Sequence, residues 1–340
     1  MIPPAPLRLR IDLDALAANW RQLRALAGVD AGAAVKADGY GLGAKAVVER
    51  LYAEGCRTFY VSNWQEAAAL AGHPPDLRVL VLHGIDAADL PAALSIDAEP
   101  VLISPEQVAL WRAHGAGRRC DIMVDTGMNR LGFGWRGFCT EMFAGMDVNT
   151  VHTHLACADE PEHALNALQR DRFAQVVAAL GVRGAIANTA GICLGRDYAF
   201  GHVRPGIGIY GGVAGMRQVV FPEARVIQCR DLPAGDASGY GATWTATRDS
   251  RLAVLNLGYA DGYLRGFSDR GEAIVGGKRA RVVGRVSMDM IIIDITDTPP
   301  VAPGEHVEIV YDLAEAAHLS GLSEYELLTG LGARYERIYT

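Results

Sequence analysis

Between residues 32 and about 210 the chain repeats one pattern, a short β-branched or apolar run followed by a stretch with helical spacing. The runs fall at 33–36, 58–62, 78–82, 100–104, 121–125, 149–154, 184–188 and 203–210. Segments such as 64–71, 106–114 and 164–180 lie between them with apolar residues every third or fourth position, the spacing of a helix with one buried face. Strand and helix in alternation predict a parallel sheet, either a closed (β/α)8 TIM barrel or an open doubly wound sheet, and the count of eight favours the barrel. Beyond about Gly215 the texture changes to short β runs with glycine turns at 225–229, 243–247, 252–257, 281–286, 290–295 and 307–311. One helical stretch at 313–329 and a last strand at 337–339 complete a smaller, mostly β domain. The boundaries expected are 14–215 for the barrel and 216–340 for the β domain, with the alternating segment 7–13 pairing with the latter.

Composition narrows the function classes. The 340 residues are 50% hydrophobic and 21% charged, enough for a sizeable core, and a net charge of −7 argues against a nucleic-acid surface. The basic cluster Lys278, Arg279 and Arg281 is short and reads as a solvated hairpin. No apolar stretch has signal-peptide or membrane-spanning length, and the six cysteines are scattered without a C-x-x-C pair. The expectation is a cytoplasmic protein with reduced thiols, no membrane partner and no zinc site.

In a barrel the C-terminal ends of the strands converge on one face. Those ends supply Lys36 and Tyr40, Arg130, His154, Asn188 and Thr189, then Arg204 and Gly206. Lysine occurs only at 36, 45 and 278, and Lys36 closes an apolar run just before closely spaced glycines. Desolvation there lowers an amine's pKa, as Schiff-base chemistry requires, although a lysine simply reaching water fits the same position. His152 and His154 are two apart and would share a strand face, but no third residue has metal-ligand spacing, so one inward histidine in the site is the better reading. Gly206-Ile-Gly-Ile-Tyr-Gly211 matches G-x-G-x-x-G without the βαβ context of a dinucleotide site. A turn whose amides cradle a single phosphate after strands seven and eight fits better. In the β domain, Tyr240 and Tyr259 stand among glycines, and Val286-Ser-Met-Asp-Met290 offers free backbone amides.

Eight stretches, in order along nearly the whole chain, resemble the alanine racemase family of pyridoxal-phosphate enzymes. They are Val35-Lys-Ala-Asp-Gly-Tyr-Gly-Leu-Gly43, Asp125-Thr-Gly-Met-Asn-Arg-Leu-Gly132, Thr153-His-Leu-Ala-Cys-Ala-Asp159 and Ala187-Asn-Thr-Ala190. The others are Arg204-Pro-Gly-Ile207 with Tyr210, Gly239-Tyr-Gly-Ala-Thr243, Gly258-Tyr-Ala-Asp-Gly262 and Gly284-Arg-Val-Ser-Met-Asp289. The resemblance implies a small amino-acid substrate, alanine first, racemised to supply D-alanine for peptidoglycan. It also implies a head-to-tail homodimer with composite active sites. By this match Lys36 forms the Schiff base to pyridoxal 5'-phosphate and is one of two bases, and Tyr240 from the partner subunit is the other. A free phenol is a weak base near neutral pH, and the match places His154 and Arg204 in a hydrogen-bonded chain supporting it. Arg204 would face the pyridine nitrogen and leave it unprotonated. Tyr40, Asn188, Thr189, Gly206, Ile207 and Tyr210 would surround the phosphate. Arg130, the Met288 amide and Tyr259 would meet the substrate, with Arg265, Arg285 and Asp159 at the entryway.

Four positions depart from the family pattern. Met123 stands where many relatives have a lysine that orients the arginine matching Arg130, and Thr189 replaces the usual serine. Ser287 occupies a cysteine or alanine position, and Ala333 one where some members place a phosphate-binding tyrosine. These leave serine or a broader substrate range open. An amino-acid decarboxylase of the same fold is the rival. Its Gly-Glu-Pro-Gly-Arg type phosphate motif and cysteine–aspartate site are absent from the sequence, and Arg204 at the ring nitrogen suits it poorly. A pyridoxal-phosphate carrier would need the barrel but not Tyr240 or Met288.

Overall fold

The computed structural model describes residues 4–340, and these divide into two compact units. One is Ala17–Ile209; the other is Tyr210–Thr340 together with the leading segment up to Leu16.

In the first unit seven strands pair in parallel in chain order. They are Ala33–Ala34, Thr58–Val61, Arg78–Val81, Glu99–Leu102, Cys120–Asp125, Val148–His152 and Arg183–Ala185. The eighth, His202–Val203, closes the ring. It pairs with Asp30–Ala31 at the start of the first strand, and on its other side Arg204 N–H donates to Ala187 O (2.8 Å). Thr58–Val61 is buried at all four positions, as expected for parallel strands with helices outside and packed side chains within. The first strand breaks at Gly32, where a Cβ would lie 2.6 Å from Thr58 O and 2.8 Å from the Tyr60 ring. Only glycine lets that strand approach so closely.

The helices carry the stop and start chemistry of their sequences. Asn63 and Ser104 accept from the third helical amide of Trp64–Ala69 and Pro105–His114, with Pro105 at the first helical position of the latter. Ala164–Leu180 ends on left-handed Gly181 (φ 68°). The eighth strand is shorter than the 203–210 run predicts. Ile207 and Ile209 are buried in a turn whose amides bend toward Thr189, and burial alone cannot tell such a turn from a strand.

The second unit is built on the 13-residue strand Val220–Leu232, which pairs antiparallel with Leu7–Ile11, Ser250–Leu255 and His306–Ile309. Leu7–Ile11 also pairs in parallel with Tyr335–Tyr339. The single helical stretch expected at 313–329 is two helices, Leu313–Ser320 and Glu324–Thr329, separated at left-handed Gly321 and restarted by a Ser323–Glu326 capping box. Among the described residues no helix is long and apolar enough to cross a membrane.

Candidate active site

Lys36 ends the first barrel strand and begins a left-handed turn. Ala37, Asp38, Gly39 and Tyr40 have φ of 52, 53, 63 and 57°. This conformation costs about 1–2 kcal/mol for each L-residue other than glycine, so three of the four are held against their local preference. The restraints are hydrogen bonds. Ala37 N–H donates to Glu66 Oε1 (2.9 Å), Ala44 N–H to Asp38 Oδ1 (2.8 Å), and Gly39 N–H to Val35 O (2.8 Å). The other Glu66 oxygen accepts from Ser62 N–H at the end of the second strand (2.7 Å).

The half-buried Lys36 amine is held below the usual lysine pKa, first by desolvation and then by the Arg130 and Arg204 guanidiniums, with Glu66 opposing. His154 faces the same cations. Desolvation, then Arg204, Arg130 and Lys36, push its imidazole down to about 3, so it is neutral near pH 7 and has a ring nitrogen able to accept. Arg204 is 6% exposed; one of its terminal nitrogens donates to Thr153 O (2.5 Å), and its guanidinium lies 5.9 Å from the centre of the Tyr60 ring. His152 parts company with His154. It turns into the barrel, fully buried, against Asp121 (Nε2–Oδ2 2.8 Å) and edge-on to Tyr60. Among the described residues no cluster of three His, Cys, Asp or Glu is placed to hold a metal.

Beside these cations lies a notch of backbone amides. Gly206 N–H and Gly208 N–H both donate to Thr189 Oγ1 (3.0 and 3.2 Å). A Cβ on Gly206 would come within 2.3 Å of the buried Tyr40 hydroxyl. Asn188 caps the following helix, its Oδ1 accepting from Gly191 N–H (2.8 Å), and Ile207 is buried beneath the turn. The donor set suits an anionic, phosphate-bearing aldehyde. Four groups able to carry positive charge converge, and Arg204 Nε is buried without a partner.

Arg130 is exposed on the loop after the fifth strand. Asp125 shapes that loop, accepting from the amides of Gly127 (2.8 Å), Met128 (3.0 Å) and Arg130 (2.8 Å). Met123 lies buried beneath it, and a Cβ on Gly132 would sit 2.9 Å from the Met123 side chain. At the position where the resemblance leads to the expectation of a lysine, an apolar side chain lies under the loop, and the Asp125 carboxylate sets its backbone.

The remaining candidates lie in the second unit. Tyr210 is fully buried at its start. Tyr240 is 71% exposed on the turn joining Ala237–Ser238 to Trp244–Thr245, between left-handed Gly239 and Gly241. It borders a cavity of about 340 Å³ that Arg285, Ser287, Met290 and Ile292 also line. The Tyr259 turn is joined to the Met288 loop by Tyr259 N–H to Ser287 O and Ala260 N–H to Met288 O, both 3.0 Å. Arg334 fastens the pair, with two bonds to buried Asp261 (2.6 and 2.8 Å) and one to Asp289 (2.7 Å). Arg265 lies over the Tyr259 ring (5.6 Å).

Thus the first unit brings together Lys36, Tyr40, Arg130, His154, Thr189, Arg204 and Gly206, while the second displays Tyr240, Tyr259 and Met288. Sequence reasoning missed Glu66 and Arg334. Glu66 binds two backbone amides, which leave no signal in the sequence, and Arg334 follows Ala333, a position marked only as a missing tyrosine.

Comparison with known proteins places the chain in a family. Residues 11–214 match the family model for the alanine racemase N-terminal domain, and residues 219–339 match the C-terminal domain. The biosynthetic alanine racemase of Agrobacterium fabrum is 40% identical over 98% of this chain and 94% of its own length. The catabolic alanine racemase of the same organism is also 40% identical, over 97% and 91%. A crystal structure of alanine racemase from Bartonella henselae with covalently bound pyridoxal phosphate superposes with a TM-score of 0.90 at 34% identity, covering 99% of this chain and all of that one. The biosynthetic enzyme of Pseudomonas aeruginosa gives 0.89 at 32% identity, with the same coverage. The chain belongs to the alanine racemase family.

Proposed function

We propose that this protein interconverts L- and D-alanine with pyridoxal 5'-phosphate held at the barrel mouth, by a two-base mechanism. The observation that carries this is the lone lysine amine, held below its usual pKa among Arg130, Arg204 and His154, beside the Gly206–Gly208–Thr189 notch.

Bound there, pyridoxal phosphate supplies the electron sink that acidifies the substrate Cα–H. The chain's residues do the rest. Lys36 Nζ would hold the cofactor and, once the substrate amine has displaced it, would take or return the proton on one face of Cα. Tyr240 Oη does so on the other, so a proton removed from one side and delivered to the opposite side inverts the centre. His154, neutral at working pH, keeps one ring N–H to donate to Tyr240 Oη and so supports the ionised form of the phenol. Arg204 would hold the ring nitrogen; a guanidinium does not surrender its proton, so that nitrogen stays unprotonated and side reactions are suppressed. Tyr40, Asn188, Thr189, Tyr210 and the amides around Gly206 and Ile207 would receive the phosphate. Arg130 and the Met288 amide would receive the substrate carboxylate, with Tyr259 beside them.

Tyr240 serves the site of a second copy, in a head-to-tail homodimer with composite active sites. Its 71% exposure beside exposed Met288 (54%) and Met290 (45%) supports this reading, because a reacting phenol needs a dry neighbour. The functional division is 14–215 for cofactor and first base and 216–340 for the second base. Six thiols without a disulfide suit the cytoplasm.

The test is spectroscopic and chiral. The purified protein should show a visible absorbance band that Lys36→Ala removes. Tyr240→Ala should keep the band while losing racemisation of L-alanine. A protein that stays colourless with added pyridoxal phosphate overturns the assignment, and full turnover by Tyr240→Ala overturns the two-base mechanism.

A further inference from the structure

We infer that Glu66 is a positioning residue for the reaction, setting the direction of the Lys36 amine by clamping the left-handed turn behind it to the end of the second barrel strand. The inference rests on Lys36 being the cofactor lysine. Its ground is geometric. One carboxylate oxygen holds Ala37 N–H (2.9 Å), the first amide after Lys36, and the other holds Ser62 N–H (2.7 Å).

The clamp itself is rigid. Glu66 lies in the first turn of Trp64–Ala69, and its own amide donates to the Asn63 cap (3.0 Å). On the far side, Ala37, Asp38 and Tyr40 occupy a conformation that L-residues disfavour, and such a turn persists only where its surroundings over-determine it. Asp38 secures the end of the turn through Ala44 N–H. Glu66 secures its beginning, the peptide whose orientation aims Lys36. Tyr40, at the other end of the same four residues, touches the Gly206 notch, so one clamp sets the relation of amine to phosphate cradle. Glu66 is also the acidic group acting on the Lys36 amine, against Arg130 and Arg204.

Three substitutions separate direction from charge. Glu66→Gln retains one acceptor but turns an N–H2 toward the second amide. Glu66→Asp keeps the charge but cannot span both amides. Glu66→Ala removes everything. All three should lower kcat for alanine roughly 10- to 100-fold, the penalty for misplacing a reacting group by about 1 Å, with KM moving less than about threefold. The rate at which the apoprotein captures pyridoxal phosphate, followed against pH, supplies a second readout. Facing groups are Glu66, Arg130, Arg204 and His154. Loss of the negative charge that, among the described residues, opposes Arg130 and Arg204 at Lys36 should move the midpoint to lower pH in Glu66→Gln and Glu66→Ala, while Glu66→Asp should leave it near the parent value. A residue that merely stabilised the fold would shift the melting temperature and neither readout. Variants with kcat within threefold of the parent and an unmoved capture profile overturn the inference. If Lys36→Ala keeps the visible band, the reading beneath it fails instead, so the two failures are distinguishable. Should Glu66→Ala not fold, Gln and Asp carry the same comparison.

Discussion

Thr189 and Gly208 form a lock that can be opened by substituting either one and closed again by both. Gly208 does not have a left-handed φ, so an alanine there meets no backbone penalty, only a collision. Its Cβ would lie 2.5 Å from Thr189 Cγ2, 3.1 Å from Leu23 Cδ1 and 3.4 Å from Thr189 Oγ1. Two carbons rest at about 3.5–4.0 Å, so the threonine methyl must move by about 1 Å, carrying its hydroxyl off the Gly206 and Gly208 amides. Overpacking of this kind costs about 1–3 kcal/mol. Thr189→Ser removes one buried methyl at about 1 kcal/mol and also removes the colliding atom. The double substitution should therefore cost little more than Thr189→Ser alone, a coupling of about 1–2 kcal/mol. Urea unfolding of the four apoproteins measures it, and absorbance titration with pyridoxal phosphate should show Gly208→Ala binding about tenfold more weakly, with most of that restored in the double variant. Coupling below about 0.5 kcal/mol refutes the claim that the methyl is what makes Gly208 obligatory.

Two further predictions concern stability. Desolvation holds the buried His152 imidazole down at about 4, against the help of Asp121. The unfolded chain binds its proton below about 6.5 while the folded chain does not, so stability falls as pH drops from about 6.5 to 4, by up to about 3 kcal/mol from this group. His152→Gln, which keeps a donor for Asp121, should flatten that part of the urea-stability profile relative to the parent; equal slopes would show that His152 does not contribute. Arg334→Leu should cost about 2–3 kcal/mol by leaving the buried Asp261 carboxylate with only the Gly258 amide (2.9 Å) among these partners. Arg334→Lys should recover less than half in thermal unfolding, because an ammonium cannot reproduce the two-pronged contact.

How far the chain could be read in advance depended on the range of the interaction. The strands Thr58–Val61 and Cys120–Asp125 announce themselves as short, mostly apolar runs, and the helix Ala164–Leu180 as a long stretch between strands with neither glycine nor proline. Lys36, Arg204 and Thr189 were legible as strand-end residues in a barrel. The turn at Ala37–Tyr40 was not, since alanine, aspartate and tyrosine give no sign of left-handed backbone. Nor was the role of Glu66, whose partners are two backbone amides that carry no residue identity. Likewise the 207–209 isoleucines look like a strand because they are buried, though what buries them is a turn.

The strand Leu7–Ile11 also governs the order in which this protein can be assembled. It sits between Val220–Leu232 and Tyr335–Tyr339, pairing Leu7 with Ala224 on one side and Tyr335 on the other. A ribosome adding roughly 5–20 residues per second delivers that second neighbour tens of seconds after the first strand has emerged. Throughout that interval the barrel, whose strands pair with near neighbours in sequence, is free to close. Leu7–Ile11, with Leu7, Leu9 and Ile11 destined for burial, waits with an open edge. A nascent chain stalled in that window is where misassembly is most to be expected, and a chaperone that shields residues 7–11 would raise the yield of folded protein more than one acting on the barrel.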